Sequence, residues 1–165
     1  MTQVKESIEV ACPPLDAFEC VRTHFYERNG FAPSSTPVTL KVPVRELTVD
    51  RQVSVSLSTH QAAGARRTFS ISWDPNGGPY PKFDGTLDFA AAGDGCEIVL
   101  EGAYDPPLSF AGKAFDAAVG RRIAAASIRA FLDMLGETIR QNYDRHLLAS
   151  HDYDPDRFNA PNDPK

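Results

Sequence analysis

The chain of 165 residues has only three cysteines, Cys12, Cys20 and Cys96, an odd count with no CxxC spacing. Disulfide frameworks and zinc sites are built from spaced pairs of thiols, so neither organises this protein. Reduced thiols in a cytoplasmic setting are expected. Basic side chains never cluster beyond the pairs Arg66-Arg67 and Arg121-Arg122, and the net charge is −5. A nucleic-acid backbone is held by basic patches, so no nucleic-acid partner is expected. No apolar run approaches the roughly 20 residues that cross a bilayer, so no membrane span is expected. The first ten residues also lack a charged-then-apolar leader pattern. HExxH and GxSxG are missing. The glycine stretches Asn76-Gly77-Gly78 and Gly93-Asp94-Gly95 read as turns, because neither opens a helix after a strand as a phosphate cradle does. Of the four histidines, His24 is expected to face water. His146 and His151 fall with Asp152 and Asp154 in a segment with no preformed ligand geometry. Neither a metal nor a cofactor is expected.

What the chain does have is periodicity. Residues 4–12 alternate as a first strand, with Ile8 and Val10 inward. Pro13 and Pro14 stop it. Residues 15–28 then read as helix, whole or in two short pieces, with Phe18, Val21, Phe25 and Tyr26 as its buried stripe. Asn29-Gly30 is a C-terminal cap signal, and residues 32–37 read as a loop. From Val38 to Tyr104 the period is two, with strands over 38–44, 49–59, 68–74, 83–91 and 96–104. Their Ser, Thr and Glu residues lie on the wet face. Pro43 cannot donate to a ladder, which places its strand at an edge or bulge. A further strand can hide around residues 43–49.

Residues 110–145 contain no proline and are rich in Ala and Arg, which favours one long helix. Helical spacing sets Ala117, Ala124, Ile128, Phe131, Leu135 and Ile139 on one side. Arg122, Arg129, Asp133, Glu137 and Arg140 fall opposite. This helix alone can cover the dry face of the sheet. The expected class is therefore α+β: a curved antiparallel sheet of about 6–7 strands wrapped around one long C-terminal helix, with two short helices after the first strand. One domain is expected over residues 1–147. Residues 148–165, rich in Asp, Pro and Asn, are expected to form a flexible tail.

This order of elements resembles the START-like, birch-pollen-allergen-like helix-grip superfamily, also called SRPBCC or polyketide cyclase-like. The likeness is carried by Ala11-Cys-Pro-Pro-Leu-Asp-Ala-Phe18 after the first strand. It is carried again by Leu100-Glu-Gly-Ala-Tyr-Asp-Pro-Pro-Leu108, Gly112-Lys-Ala-Phe-Asp116 and Arg122-Ile-Ala-Ala-Ala-Ser-Ile-Arg-Ala-Phe-Leu132. The resemblance covers residues 4–145 and implies a helix-grip fold. Members bind lipids, sterols, hormones or polyketides between sheet and helix, and some are cyclases or hydrolases. They share no catalytic motif, so no catalytic residue is carried over.

The resemblance implies a protein that binds a hydrophobic or aromatic small molecule, lipid or polyketide-like, as monomer or homodimer, with no catalysis evident. The expected lining from the sheet is Phe69, Trp73, Phe83, Leu87, Leu100 and Tyr104. From the helix it is Phe115, Gly120, Arg121, Ala124 and Phe131. Apolar walls with few polar groups are what such a site requires. One alternative is a cyclase, dehydratase or hydrolase using an acid such as Asp116 with Tyr104 or Arg121 in the same cavity. Another is a partner-binding module with a filled core and an exposed apolar patch.

Overall fold

A computed structural model describes residues 2–26, 35–44, 47–60, 67–74, 82–105 and 117–151. The elements in chain order are β1 (Thr2–Val10), α1 (Pro14–Tyr26), β2 (Thr36–Val44), β3 (Leu47–His60), β4 (Arg67–Asp74), β5 (Lys82–Ala92), β6 (Gly95–Asp105) and α2 (Ala117–His151).

Helix α1 starts at Pro14, where a missing backbone N–H leaves no hydrogen bond unmade. The Ala17 N–H donates to Pro13 O at 3.0 Å and closes the first turn. Asp16 sits in that turn, at the positive end of the helix dipole. Through Tyr26 the helix is continuous, the whole form of the two that the sequence allowed; residues 27–34, where a second short helix would fall, lie outside the described residues.

The six strands form one antiparallel sheet in the order β1-β6-β5-β4-β3-β2. The strand expected around 43–49 resolves into the facing ends of β2 and β3, whose last pair is Val44↔Leu47. Pro43 lies on β2, an edge strand. Only at an edge does a missing N–H break no second ladder. The β5–β6 hairpin closes with Ala92 opposite Gly95. At its tip Gly93 has φ +54°, a left-handed conformation that glycine adopts without strain.

Strands β1 and β2 stand at opposite ends of the sheet, five strand spacings apart, yet α2 packs against both. A flat sheet would hold those edges about 24 Å apart. The sheet must therefore curl around α2. The helix keeps Ala124, Ile128, Phe131, Leu132, Leu135 and Ile139 fully buried, while Arg122, Arg129, Asp133, Glu137 and Arg140 are exposed. It runs on to His151, past the expected end at Arg145 and into the segment assigned to a tail. The next helix breaker is Pro155, so nothing local stops the helix sooner. Residues 110–116 and 152–165 lie outside the described residues.

Helix α1 closes the same face of the sheet from the other side. Phe18 stacks on Phe69 with ring centroids 4.4 Å apart and meets Phe89 edge-on at 5.7 Å. Phe25 reaches Phe131 of α2 at 6.4 Å. The Tyr26 hydroxyl donates to Leu57 O at 3.3 Å.

Candidate functional site

Strand register sorts the inner face of the sheet into rungs. One rung crosses all six strands through the paired residues Thr36, Val55, Trp73, Phe83, Tyr104 and Thr2. The next runs through Leu57, Ile71, Gly85, Gly102 and Val4, and the third through Thr59, Phe69, Leu87, Leu100 and Glu6. Arg129 Nη1 bonds Glu6 Oε2 at 2.8 Å, and a methyl on Gly136 would stand 3.0 Å from Ile8 Cδ1. Helix α2 therefore advances alongside β1 in the same direction. Its first turns lie at the end of the sheet that carries the first rung.

Polar atoms are unevenly spread over this interior. Thiols aside, the buried side chains with polar atoms among the described residues are Thr36, Trp73, Tyr104 and Ser127. Three of these occupy the first rung. Ser127 lies on α2 between Ala124 and Phe131, on the buried face and toward the same end. The deeper rungs are apolar apart from Glu6 and Thr59 near their ends. One end of the grip thus combines aromatic surface with hydroxyl and indole groups, and the other end is plain core.

Trp73 is at the centre of that end. Its ring stacks on Phe83 at 4.3 Å and 20°, and Phe131 of α2 meets it at 5.7 Å. Phe83 in turn lies over Gly85 and Gly102, where added methyls would stand 2.8 and 2.7 Å from its Cζ. The Phe83 ring fills the room that these small residues leave. Trp73 is 3% exposed, and among the described residues its Nε1 is the buried side-chain nitrogen or oxygen with no hydrogen-bond partner. Leaving such a donor unmade costs about 1–3 kcal/mol.

The structure brings Trp73, Phe83, Tyr104, Ala124 and Phe131 to this end, all buried. Phe69, Leu87 and Leu100 stand two rungs deeper, also buried, with Phe69 under Phe18. Arg121 is exposed, and Gly120 lies in the first turns of α2. Phe115, and the acid Asp116 of the enzymatic alternative, lie outside the described residues. Thr36, Val55 and Ser127 were missed. Thr36 fell in an expected loop because Pro37 follows it, although it continues the alternation of Val38 and Leu40. Ser127 is one turn from Phe131, and its helical position alone points it inward.

Outside the inner face, two recesses are formed by described residues. One, of about 470 Å³, lies between the helices and includes Asp16, Glu19, Cys20, His24, Tyr143 and His146. Burial, helped by Asp16 and Glu19, raises the Cys20 thiol above its ordinary pKa, so it stays protonated and is a poor nucleophile. The other, of about 390 Å³, opens on the outer face, where Ser54, Ser56 and Ser72 flank the Lys82–Asp74 ion pair of 2.9 Å, and Trp73 and Phe83 of the first rung also line it. That pair raises the Lys82 pKa through its hydrogen bond first and its charge second. No group of three or more His, Cys, Asp or Glu among the described residues is placed to hold a metal ion. No helix among them is long and apolar enough to cross a membrane. The large exposed apolar side chains among them are Leu15 and Leu147, on different helices.

Comparison with known proteins adds the following. The sequence profile of a family described as "Polyketide cyclase / dehydrase and lipid transport" matches residues 1–140. A conserved protein from Geobacillus kaustophilus shares the fold with TM-score 0.57 and 11% identity, over 85% of this chain and 96% of that one. A Thermus thermophilus protein does so with TM-score 0.52 and 15% identity, over 86% of this chain and 99% of that one. No curated protein sequence matches the chain.

Proposed function

Since the chain belongs to the polyketide cyclase/dehydrase and lipid-transport family, we propose that it binds an apolar or aromatic small molecule between the sheet and the first turns of α2. The observation that carries this reading is the gathering of Thr36, Trp73, Tyr104 and Ser127 at one end of an otherwise apolar interior. Stability alone favours apolar residues there, because each buried polar atom must find a partner or be destabilising. A ligand site needs apolar walls and a few polar groups that orient the guest. The partner-binding alternative called for an extended exposed apolar patch, and among the described residues the large exposed apolar side chains are the two leucines Leu15 and Leu147. The proposed role is to hold and orient a guest, and no catalytic step is assigned to a described residue.

Trp73 is the only tryptophan in the chain, so intrinsic fluorescence reads this site directly. The test is native mass spectrometry of the purified protein, then titration with fatty acids, sterols and flat aromatic compounds. A stoichiometric guest that alters Trp73 emission is expected. A protein that carries nothing, and whose emission no member of that panel changes, would overturn the reading.

A further inference from the structure

We propose that Trp73 sets ligand specificity: its unpartnered indole N–H anchors an acceptor oxygen on a neutral, flat, apolar ligand, such as an aryl ketone or ester. The inference rests on the binding reading above and narrows it to a chemical class. Trp73 is the buried donor without a partner among the described residues. It offers one N–H and no acceptor, so what completes it must carry a lone pair. The stacked and tilted rings of Phe83 and Phe131 beside it favour a planar guest in offset contact.

Charge decides between acceptors. No described residue on the first rung carries a charge. The charged groups next to it in sequence, Asp74, Lys82, Asp84 and Asp105, are exposed. On α2, Arg121 and Arg122 are exposed, and Arg129 is engaged with Glu6. Among the described residues no buried counter-charge stands at Trp73, and Lys82 is already paired with Asp74, so a carboxylate brought there would lose its hydration uncompensated, which is strongly unfavourable. A ketone or ester oxygen gives up far less on leaving water and still accepts the bond.

The test compares three probes by calorimetry: acetylnaphthalene, the near-isosteric isopropenylnaphthalene that lacks an acceptor, and naphthoate. Acetylnaphthalene is expected to bind roughly tenfold tighter than isopropenylnaphthalene, with naphthoate the weakest. In Trp73→Phe that preference disappears while isopropenylnaphthalene binding persists, because the ring surface is kept. A single tryptophan also gives a single indole N–H resonance. That resonance is expected to move downfield with the ketone and not with its hydrocarbon analogue, a readout that needs no variant. Equal binding of ketone and hydrocarbon, tightest binding of naphthoate, or an unmoved indole resonance would each overturn the anchor and leave the binding site standing. If none of the three binds, this site's binding reading fails, and the anchor fails with it.

Discussion

At Trp73, packing and hydrogen bonding pull apart: the ring is fully stacked while its one polar atom is unmade. At Cys12 burial is the dominant influence. This thiol is 2% exposed at the bend after β1, and burial first, then nearby Cys20, Cys96 and Asp16, push its pKa up to about 11 from an ordinary value of 9.0. The folded state therefore keeps its proton in a window where the unfolded chain has lost it. The Cys12 contribution is intact below about pH 9, declines as pH rises and is gone above about pH 11, where both states are ionised. The expected loss across that window is up to about 3 kcal/mol. Urea unfolding of wild type and Cys12→Ala at a series of alkaline pH values checks it, since the variant should show a shallower decline. Parallel curves would show that Cys12 does not titrate with folding.

Among the elements, the glycines separate backbone contact from side-chain contact. A methyl on Gly102 would meet Asp84 O at 2.3 Å and the Gly85 Cα at 2.6 Å. Neither can retreat without parting β5 from β6. Gly102→Ala is expected to lower stability by about 2–3 kcal/mol. A methyl on Gly136 in α2 would meet only mobile ends, Ile8 Cδ1 at 3.0 Å and Val10 Cγ1 at 3.9 Å. There the helix preference for alanine, up to about 1 kcal/mol, offsets a small repacking. Gly136→Ala should unfold within about 1 kcal/mol of wild type. Equal losses for the two variants in denaturant would refute the distinction.

The same contrast explains what the sequence makes legible. Alternation in β3 to β6 and the apolar stripe of α2 are local, and they are read correctly from residue types. The shelf formed by Gly85 and Gly102 is not local. It exists because register sets two glycines from different strands side by side. Thr36 joins the site through pairing with Val55, which no nearby residue announces. The rung is a property of hairpin register, so sequence reading found its aromatics individually but not the row they form.

For the molecule as a whole, cohesion comes from burial more than from charge. Among the described residues the ion pairs Lys5–Glu101, Arg22–Glu19, Lys82–Asp74 and Arg129–Glu6, at 2.6–3.1 Å, and Arg140–Glu137 all join exposed or half-buried partners. Such pairs stabilise by about 0–1 kcal/mol each. Phe131 touches both Trp73 and Phe25, which joins sheet, α1 and α2 in one aromatic contact. Unfolding followed by Trp73 fluorescence and by helical circular dichroism should therefore give one coincident transition. Separate midpoints would mean that α2 leaves the sheet before the sheet melts.

The first rung draws one residue from each strand through matched strand registers. Exchange and insertion are therefore inherited very differently. Exchanging a rung residue edits one inner-face contact and leaves the ladder as it was. Inserting one residue in a strand inverts the facing of everything beyond it and takes that strand's contribution out of the row. Descendants of this chain can diversify this row by spelling changes at fixed positions, with length changes confined to the joins between strands.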